Sequence, residues 1–276
     1  MKRYAGIVGY PVAHSLSPAF QGAALRHAGL DAAYEAWETP PSELAARMDA
    51  LRDATCLGAN VTIPHKQAVI PYLDELGGLS ARVGAVNTVV NRGGRLFGFN
   101  TDGPGFVEAL RNEARFDPAG KRLLVLGAGG AARGIVFALL DAGAANIDIR
   151  NRGVQRAEAL AQDGGPLVRP AAGDGVGGYA AIINTTSVGM HGTGTEGESP
   201  CDLAGADEGT LAVDIVYTPE HTEFLRRARE RGLPTLGGLP MLIYQGALAF
   251  THWTGVPAPV DVMFEAARNE LARRRR

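Results

Sequence analysis

Lysine is nearly missing from this chain: of its 27 basic residues only Lys2, Lys66 and Lys121 are lysine, and the rest are arginine. Cysteine is scarcer still. Cys56 and Cys201 stand far apart with no CxxC and no His/Cys ligand spacing, which excludes a disulfide framework, gives no metal site and fits a reducing cytoplasm. Neither sign of charge dominates, since the net charge is −2, so nothing favours nucleic acid as a partner. The arginines at 273–276 read as the solvated end of a helix. Long apolar runs are absent too. The most apolar region, residues 123–145, carries Arg133 and Asp141, which argues against a membrane span. The apolar stretch after the basic pair Lys2-Arg3 is cut by Gly9 and Pro11, so no signal peptide is expected.

What is present is alternation. Strand-like runs at 4–9, 33–38, 57–63, 121–126, 147–150, 180–184 and 211–215 are separated by helix-like segments, the pattern of α/β architecture. In the first helix, after residue 14, Ser17 suits the N-cap, Pro18 the first helical position and Gly29 the end. Gly93-Gly94 between apolar runs at 86–91 and 95–100 signals a hairpin, so the first sheet is expected to be mixed. Two helices without strands, 239–253 and 260–273, close the chain and could return to the first unit. At 276 residues, two modest domains are expected.

The most informative local stretch is LLVLGAGGAARGIVFALL: a buried strand, then Gly127-x-Gly129-x-x-Ala132, then an apolar helix. Gly127 permits a tight turn, Gly129 lets a pyrophosphate approach the backbone, and Ala132 allows close helix–strand packing. With strand and helix in place the pattern points to a dinucleotide site rather than to a glycine-rich turn of another α/β fold. Which dinucleotide depends on the end of the next strand. An NAD site calls for a carboxylate there, but Asp148 lies between Ile147 and Ile149 and reads as mid-strand. Asn151, Arg152 and Arg156 fall at the strand end instead, and two guanidinium groups suit the 2′-phosphate of NADP.

The first unit offers a different set. Ser15, Ser17, Asn60, Thr62, Lys66, Asn87 and Asp102 all fall at or just beyond strand ends, or at the start of the next helix. An open α/β sheet places its ligand there. Hydroxyls, amides, one amine and one carboxylate suit a small polyhydroxylated acid. Lys66 is the informative member, because a lysine amine can give up its proton whereas arginine holds its own throughout.

The motifs HSLSP, GANVTIPHK, GAVNTV, GFNTD, GAGGAAR, NRGVQRA, NTTSVGM, DIVYTPEHTEFL and MLIYQGALAFTHWTG occur in that order. Together they resemble the shikimate dehydrogenase family over nearly the full length. The resemblance implies an N-terminal mixed α/β substrate-binding and catalytic domain of residues 1–102 plus 239–276. It implies a Rossmann-like NADP-binding domain at 103–238, with the C-terminal helices returning to the first domain. It further implies NADP-dependent, reversible reduction of 3-dehydroshikimate to shikimate, a step of chorismate and aromatic amino acid biosynthesis, in a cytoplasmic monomer or homodimer.

Carried over by position, Lys66 and Asp102 match the family's catalytic pair. Ser15, Ser17, Thr62, Asn87, Tyr217 and Gln245 match substrate contacts. Gly127, Ala128, Gly129, Gly130, Ala131, Asn151, Arg152, Arg156, Thr186, Ile215 and Gly238 match cofactor positions. His14 and His65, the rival acid–base residues, read as local packing or hydrogen-bonding groups. The sequence departs from the family at Phe20-Gln21-Gly22, where His-Asn is common, and at Gly153, where Thr is usual. Quinate or an aminated shikimate analogue is the alternative substrate, and an NADP(H)-binding sensor the non-enzymatic alternative.

Overall fold

The computed structural model describes residues 2–274; Arg275 and Arg276 of the terminal arginine run lie outside the described residues. The chain divides into two compact units, one made of the chain up to Gly105 and from Ile243 onward, the other of Phe106–Leu242.

The first unit opens with β1 (Arg3–Gly9), α1 (Ser17–His27), β2 (Ala32–Glu38), α2 (Leu44–Ala50) and β3 (Cys56–Val61). Then come β4 (Glu75–Leu76), α3 (Ser80–Val83), β5 (Thr88–Arg92) and β6 (Arg95–Phe99). Its sheet runs β2-β1-β3-β5-β6-β4. β1 is parallel to β2 and β3, whereas β5 is antiparallel to β3 and β6. The mixed character follows from the glycine pair: Gly93 (φ 62°) and Gly94 (φ 86°) take the left-handed conformations that a tight hairpin requires. β3 is buried along its whole length. Val8, Trp37, Met48, Ala59, Val61, Val89 and Leu96 form the core on one face of this sheet.

The second unit contains most of α4 (Asp102–Glu113), then β7 (Arg122–Leu126), α5 (Gly130–Asp141), β8 (Asn146–Arg150), α6 (Val154–Gly164) and β9 (Val168–Pro170). β10 (Ala181–Asn184), β11 (Leu211–Asp214), α7 (Glu223–Glu230) and β12 (Thr235–Leu236) complete it. All pairings are parallel, in the order β12-β11-β10-β7-β8-β9. Strand order therefore reverses between β7 and β10, where a doubly wound sheet opens a crevice at its carboxyl edge. α8 (Leu239–Thr254) and α9 (Val260–Arg274) close the chain, and α9 packs on α1. Among the described residues no helix is long and apolar enough to cross a membrane, and no His/Cys/Asp/Glu cluster has metal-binding geometry.

Local differences from the expected elements have local causes. Ser17 does not cap α1. Leu16 holds the cap position, Ser17 is the first helical residue, and its N–H is taken by Ser15 Oγ at 3.1 Å. The helical segment after β2 begins with a 3-10 turn at Pro41–Glu43 before α2, because Pro40-Pro41 restricts the preceding backbone. β4, α3, β9 and β12 span two to four residues each, too few to show a period.

Candidate active site

In the first unit, the chain leaves β3 and turns back at once. His65 N–H donates to Thr62 C=O at 2.9 Å, and Lys66 C=O accepts from Val86 N–H at 2.7 Å. That places the Lys66 amine 2.6 Å from Asp102 Oδ2, at the start of α4. The carboxylate is the more shielded partner, with side-chain exposures of 14% for Asp102 and 32% for Lys66. The amine thus keeps an open side toward which a ligand can approach.

Asn87 governs the other carboxylate oxygen. Its Oδ1 accepts the Thr101 backbone N–H at 2.7 Å, a donor only, so its Nδ2 must point the opposite way. Nδ2 then donates to Asp102 Oδ1 at 2.9 Å, with Thr101 Oγ1 and Gln245 Oε1 also in reach at 2.9 and 3.3 Å. Asp102 is therefore bracketed by donors, an amine on one oxygen and an amide on the other. Gln245 comes from α8 and meets Asn87 because Gly105 leaves room: a β-carbon there would lie 2.4 Å from the Gln245 nitrogen.

Asn60 extends the network. Its Nδ2 reaches Asn87 C=O and Thr88 Oγ1, both at 3.3 Å, and its Oδ1 accepts the Tyr34 hydroxyl at 2.7 Å. Burial pushes the Tyr34 phenol well above its ordinary value, with a Ser17 hydrogen bond opposing. Ser17 is buried, while Ser15 and Thr62 are half-buried. The described structure thus joins Ser17, Asn60, Lys66, Asn87, Asp102 and Gln245 through shared partners. Tyr34, Thr88 and Thr101 were not among the sequence candidates. The threonines adjoin quoted asparagines, which was the available signal; Tyr34 lies in a strand of ordinary composition.

The rival histidines do other work. His65 is buried with a ring nitrogen 2.6 Å from Thr39 C=O, and His14 is exposed, its carbonyl accepting from Arg274 at 2.6 Å. Gln21 is fully buried and donates to Gly246 C=O at 2.8 Å, while its Oε1 finds no partner.

In the second unit, Gly127 follows β7 with φ 114°, and a β-carbon there would sit 2.5 Å from Thr185 Oγ1 at the end of β10. Only glycine fits this turn. α5 begins at Gly130, and the space facing Gly129 and Gly130 is open, the shape a phosphate needs at a helix N-terminus. Ala128 and Ala131 complete this turn. Asn151 Nδ2 donates to Gly153 C=O at 2.9 Å, and Gly153 caps α6 without a side chain. Arg152 and Arg156 are exposed, and no ion pair to either is found among the described residues. Asp148 is mid-strand as read: it is buried and held by Arg122 (2.6 Å), Arg169 (2.7 Å) and Tyr179 (2.6 Å). Their hydrogen bonds, set against the cost of burial, hold its carboxyl below the usual range. Such a carboxylate is not available to a ribose.

Thr186 Oγ1 donates to Asn184 Oδ1 at 2.7 Å, Ile215 N–H to Asn184 C=O at 3.1 Å, and Gly238 N–H to Val216 C=O at 3.2 Å. Tyr217 lies half-buried beyond β11.

The chain is 43% identical over 278 residues to the shikimate dehydrogenase (NADP(+)) of Geobacillus kaustophilus, an alignment covering 99% of this chain and 100% of the relative. The chain belongs to the shikimate dehydrogenase family. Residues 7–89 match the shikimate dehydrogenase substrate binding domain, residues 110–169 the shikimate/quinate 5-dehydrogenase family, and residues 238–268 the shikimate 5′-dehydrogenase C-terminal domain. A solved shikimate 5-dehydrogenase of Thermus thermophilus, in complex with NADP(H) and shikimate, is 44% identical with TM-score 0.89. The match covers 97% of this chain and 99% of that one. The fold also extends to a 5-ketofructose reductase of a Gluconobacter strain, 34% identical with TM-score 0.90, over 98% of this chain and 99% of that one. This shikimate dehydrogenase homologue therefore has the two-domain α/β fold of its relatives.

Proposed function

We propose that this NADP-dependent oxidoreductase interconverts 3-dehydroshikimate and shikimate, with Lys66 as general acid and base and Asp102 as the group that orients it. The observation that carries the reading is the Lys66–Asp102–Asn87 arrangement, in which an amide of fixed polarity holds a carboxylate against an amine. The residues of the second unit fit NADP: a turn that a β-carbon would fill, an open helix N-terminus, and two exposed arginines. Bound NADPH supplies the hydride. As the carbonyl carbon gains that hydride, its oxygen develops negative charge and needs a proton. Lys66 donates it in reduction and takes it back in oxidation. Ser15, Ser17, Thr62, Asn87, Tyr217 and Gln245 bind the carboxylate and hydroxyls. Residues 1–102 with 239–276 form the substrate domain, and 103–238 the cofactor domain. Gly127, Ala128, Gly129, Gly130 and Ala131 cradle the pyrophosphate, while Asn151, Arg152 and Arg156 take the adenosine end. Thr186, Ile215 and Gly238 line the rest.

A second reading has a specific ground, because the structural relatives include a reductase named for a different polyhydroxy ketone. A panel of shikimate, quinate and 5-ketofructose, each with both cofactors and followed by NADPH absorbance, separates these readings. Shikimate is expected to exceed quinate by at least about 10-fold in kcat/KM, roughly 1.4 kcal/mol, because two small serines suit the flat carboxylate end. A preference for quinate or 5-ketofructose overturns the substrate assignment. Tight NADPH binding without turnover of any substrate turns the assignment to a sensor.

A further inference from the structure

Asp214 ends β11 and is fully buried, yet no cation is among its hydrogen-bond partners. A buried carboxylate with only neutral partners is costly, and burial pushes this one up to about 6, against the lowering effect of its hydrogen bonds. All its partners are donors. Oδ1 accepts from Val216 N–H and Asn184 Nδ2, each at 3.0 Å, and Oδ2 accepts from the Thr222 hydroxyl at 2.7 Å. The two on Oδ1 are fixed as donors. Val216 offers a backbone N–H. Asn184 Oδ1 is committed to Thr186 N–H at 3.0 Å and Thr186 Oγ1 at 2.7 Å, so its amide nitrogen must face Asp214. Thr222 Oγ1 already accepts Leu225 N–H as the cap of α7.

An acceptor-only group is the complement of such a cluster; an asparagine would have to aim its NH2 at the Thr222 hydroxyl and so lose that donor. The groups held in this way are not a random part of the core. Asn184 fixes the turn bearing Thr186. Val216 N–H fixes the strand exit bearing Ile215 and Tyr217.

We infer that Asp214 is a positioning residue for cofactor binding, holding the loops after β10 and β11 in the conformation that receives NADPH. The inference rests on the NADP-dependent reading above. Asp214 touches no ligand itself; it acts through Asn184, Val216 and Thr222. The isosteric change Asp214→Asn is expected to raise the NADPH Kd, read by nucleotide fluorescence titration, by about 10-fold or more. KM for shikimate at saturating NADP⁺ should change by less than the NADPH Kd does, since of the substrate groups only Tyr217 lies on a segment that Asp214 holds.

Thr222→Val provides a second test should Asp214→Asn fail to fold. It removes one donor and the α7 cap, and should raise the NADPH Kd about 3-fold, whereas Thr222→Ser should restore the unmodified value. A lowered melting temperature with unchanged NADPH Kd, in whichever variants fold, overturns the positioning role and leaves only a structural one. An unmodified protein that fails to bind NADPH overturns instead the cofactor reading on which the inference rests.

Discussion

The two units hold their candidate ligand groups by different means. In the first, the groups are side chains gathered from distant points of the chain: Asn87 lies in one network with Asn60, Asp102 and Gln245, its polarity fixed by Thr101 N–H. In the second, the groups are largely backbone. Gly127 makes a turn that no side chain tolerates, and α5 starts beside open space. The difference teaches where chemistry and recognition separate. Proton transfer needs a particular side chain at a particular distance, whereas a pyrophosphate is satisfied by peptide N–H groups of the right shape.

The sharpest way to break this comparison is at the amine. Lys66→Ala should lower kcat about 100-fold or more with little change in substrate KM. Lys66→Arg should be comparably slow, since it keeps the charge opposite Asp102 but cannot release a proton. An arginine variant with near-normal kcat would reduce Lys66 to a binding cation.

The polar frame behind the amine comes next. Asn87→Ala removes the acceptor of Thr101 N–H and one donor to Asp102, and should cost about 2 kcal/mol in unfolding free energy, as expected for a buried donor left unmet. Chemical denaturation measures it, and an unchanged midpoint means that Asn87 is not the hub described.

In the second unit, recognition by charge should be separable from recognition by shape. Arg152→Asp should reduce the NADPH-over-NADH preference by about 10-fold, through loss of a charge-assisted contact and added repulsion. Steady-state kinetics with both cofactors decide it, and a preference that survives the substitution assigns the 2′-phosphate to other groups.

The smallest effect concerns pH. Asp214 titrates near 6 in the folded chain against an ordinary value of 3.8. The native state therefore binds more protons than the unfolded one between those values, and its stability falls as pH rises from 4 to 6. The slope is at most about 1 kcal/mol per pH unit. Asp214→Asn should lack that slope, so unfolding curves of the two proteins should converge toward pH 6. Parallel curves would show that burial does not perturb this carboxyl.

How much of this was legible in the sequence follows the same division. The dinucleotide turn was readable because its parts are contiguous: strand, glycines and helix lie within residues 122–141. The mid-strand place of Asp148 was readable from the isoleucines on either side. The mixed sheet was readable from one glycine pair. The first unit's candidates were recovered as positions near strand ends, but their roles came from family resemblance. No local pattern says that Asn87 will meet Asp102 and Gln245, which only the sheet order and the return of α8 bring together. Tyr34 and Asp214 escaped for a related reason. Each lies within a strand with no motif around it, and the asparagine it meets belongs to another strand.

The first unit is discontinuous, and this bears on how the chain is made. Its helix α1, near the start, packs on α9, whose last described residue is Arg274. Arg274 also donates to the carbonyls of His14 and Ser15 at 2.6 and 2.9 Å. None of these contacts can form on the ribosome until α9 has left the exit tunnel. The second unit is continuous in sequence, and domains generally fold as units during synthesis. The expected order of assembly therefore departs from the order of translation: Phe106–Leu242 first, and the strands β1 to β6, although made earlier, only once α8 and α9 have emerged. Throughout that interval β1 and β3, the most buried strands of the first sheet, wait without the helices that complete their unit, and that is when a chaperone would matter most.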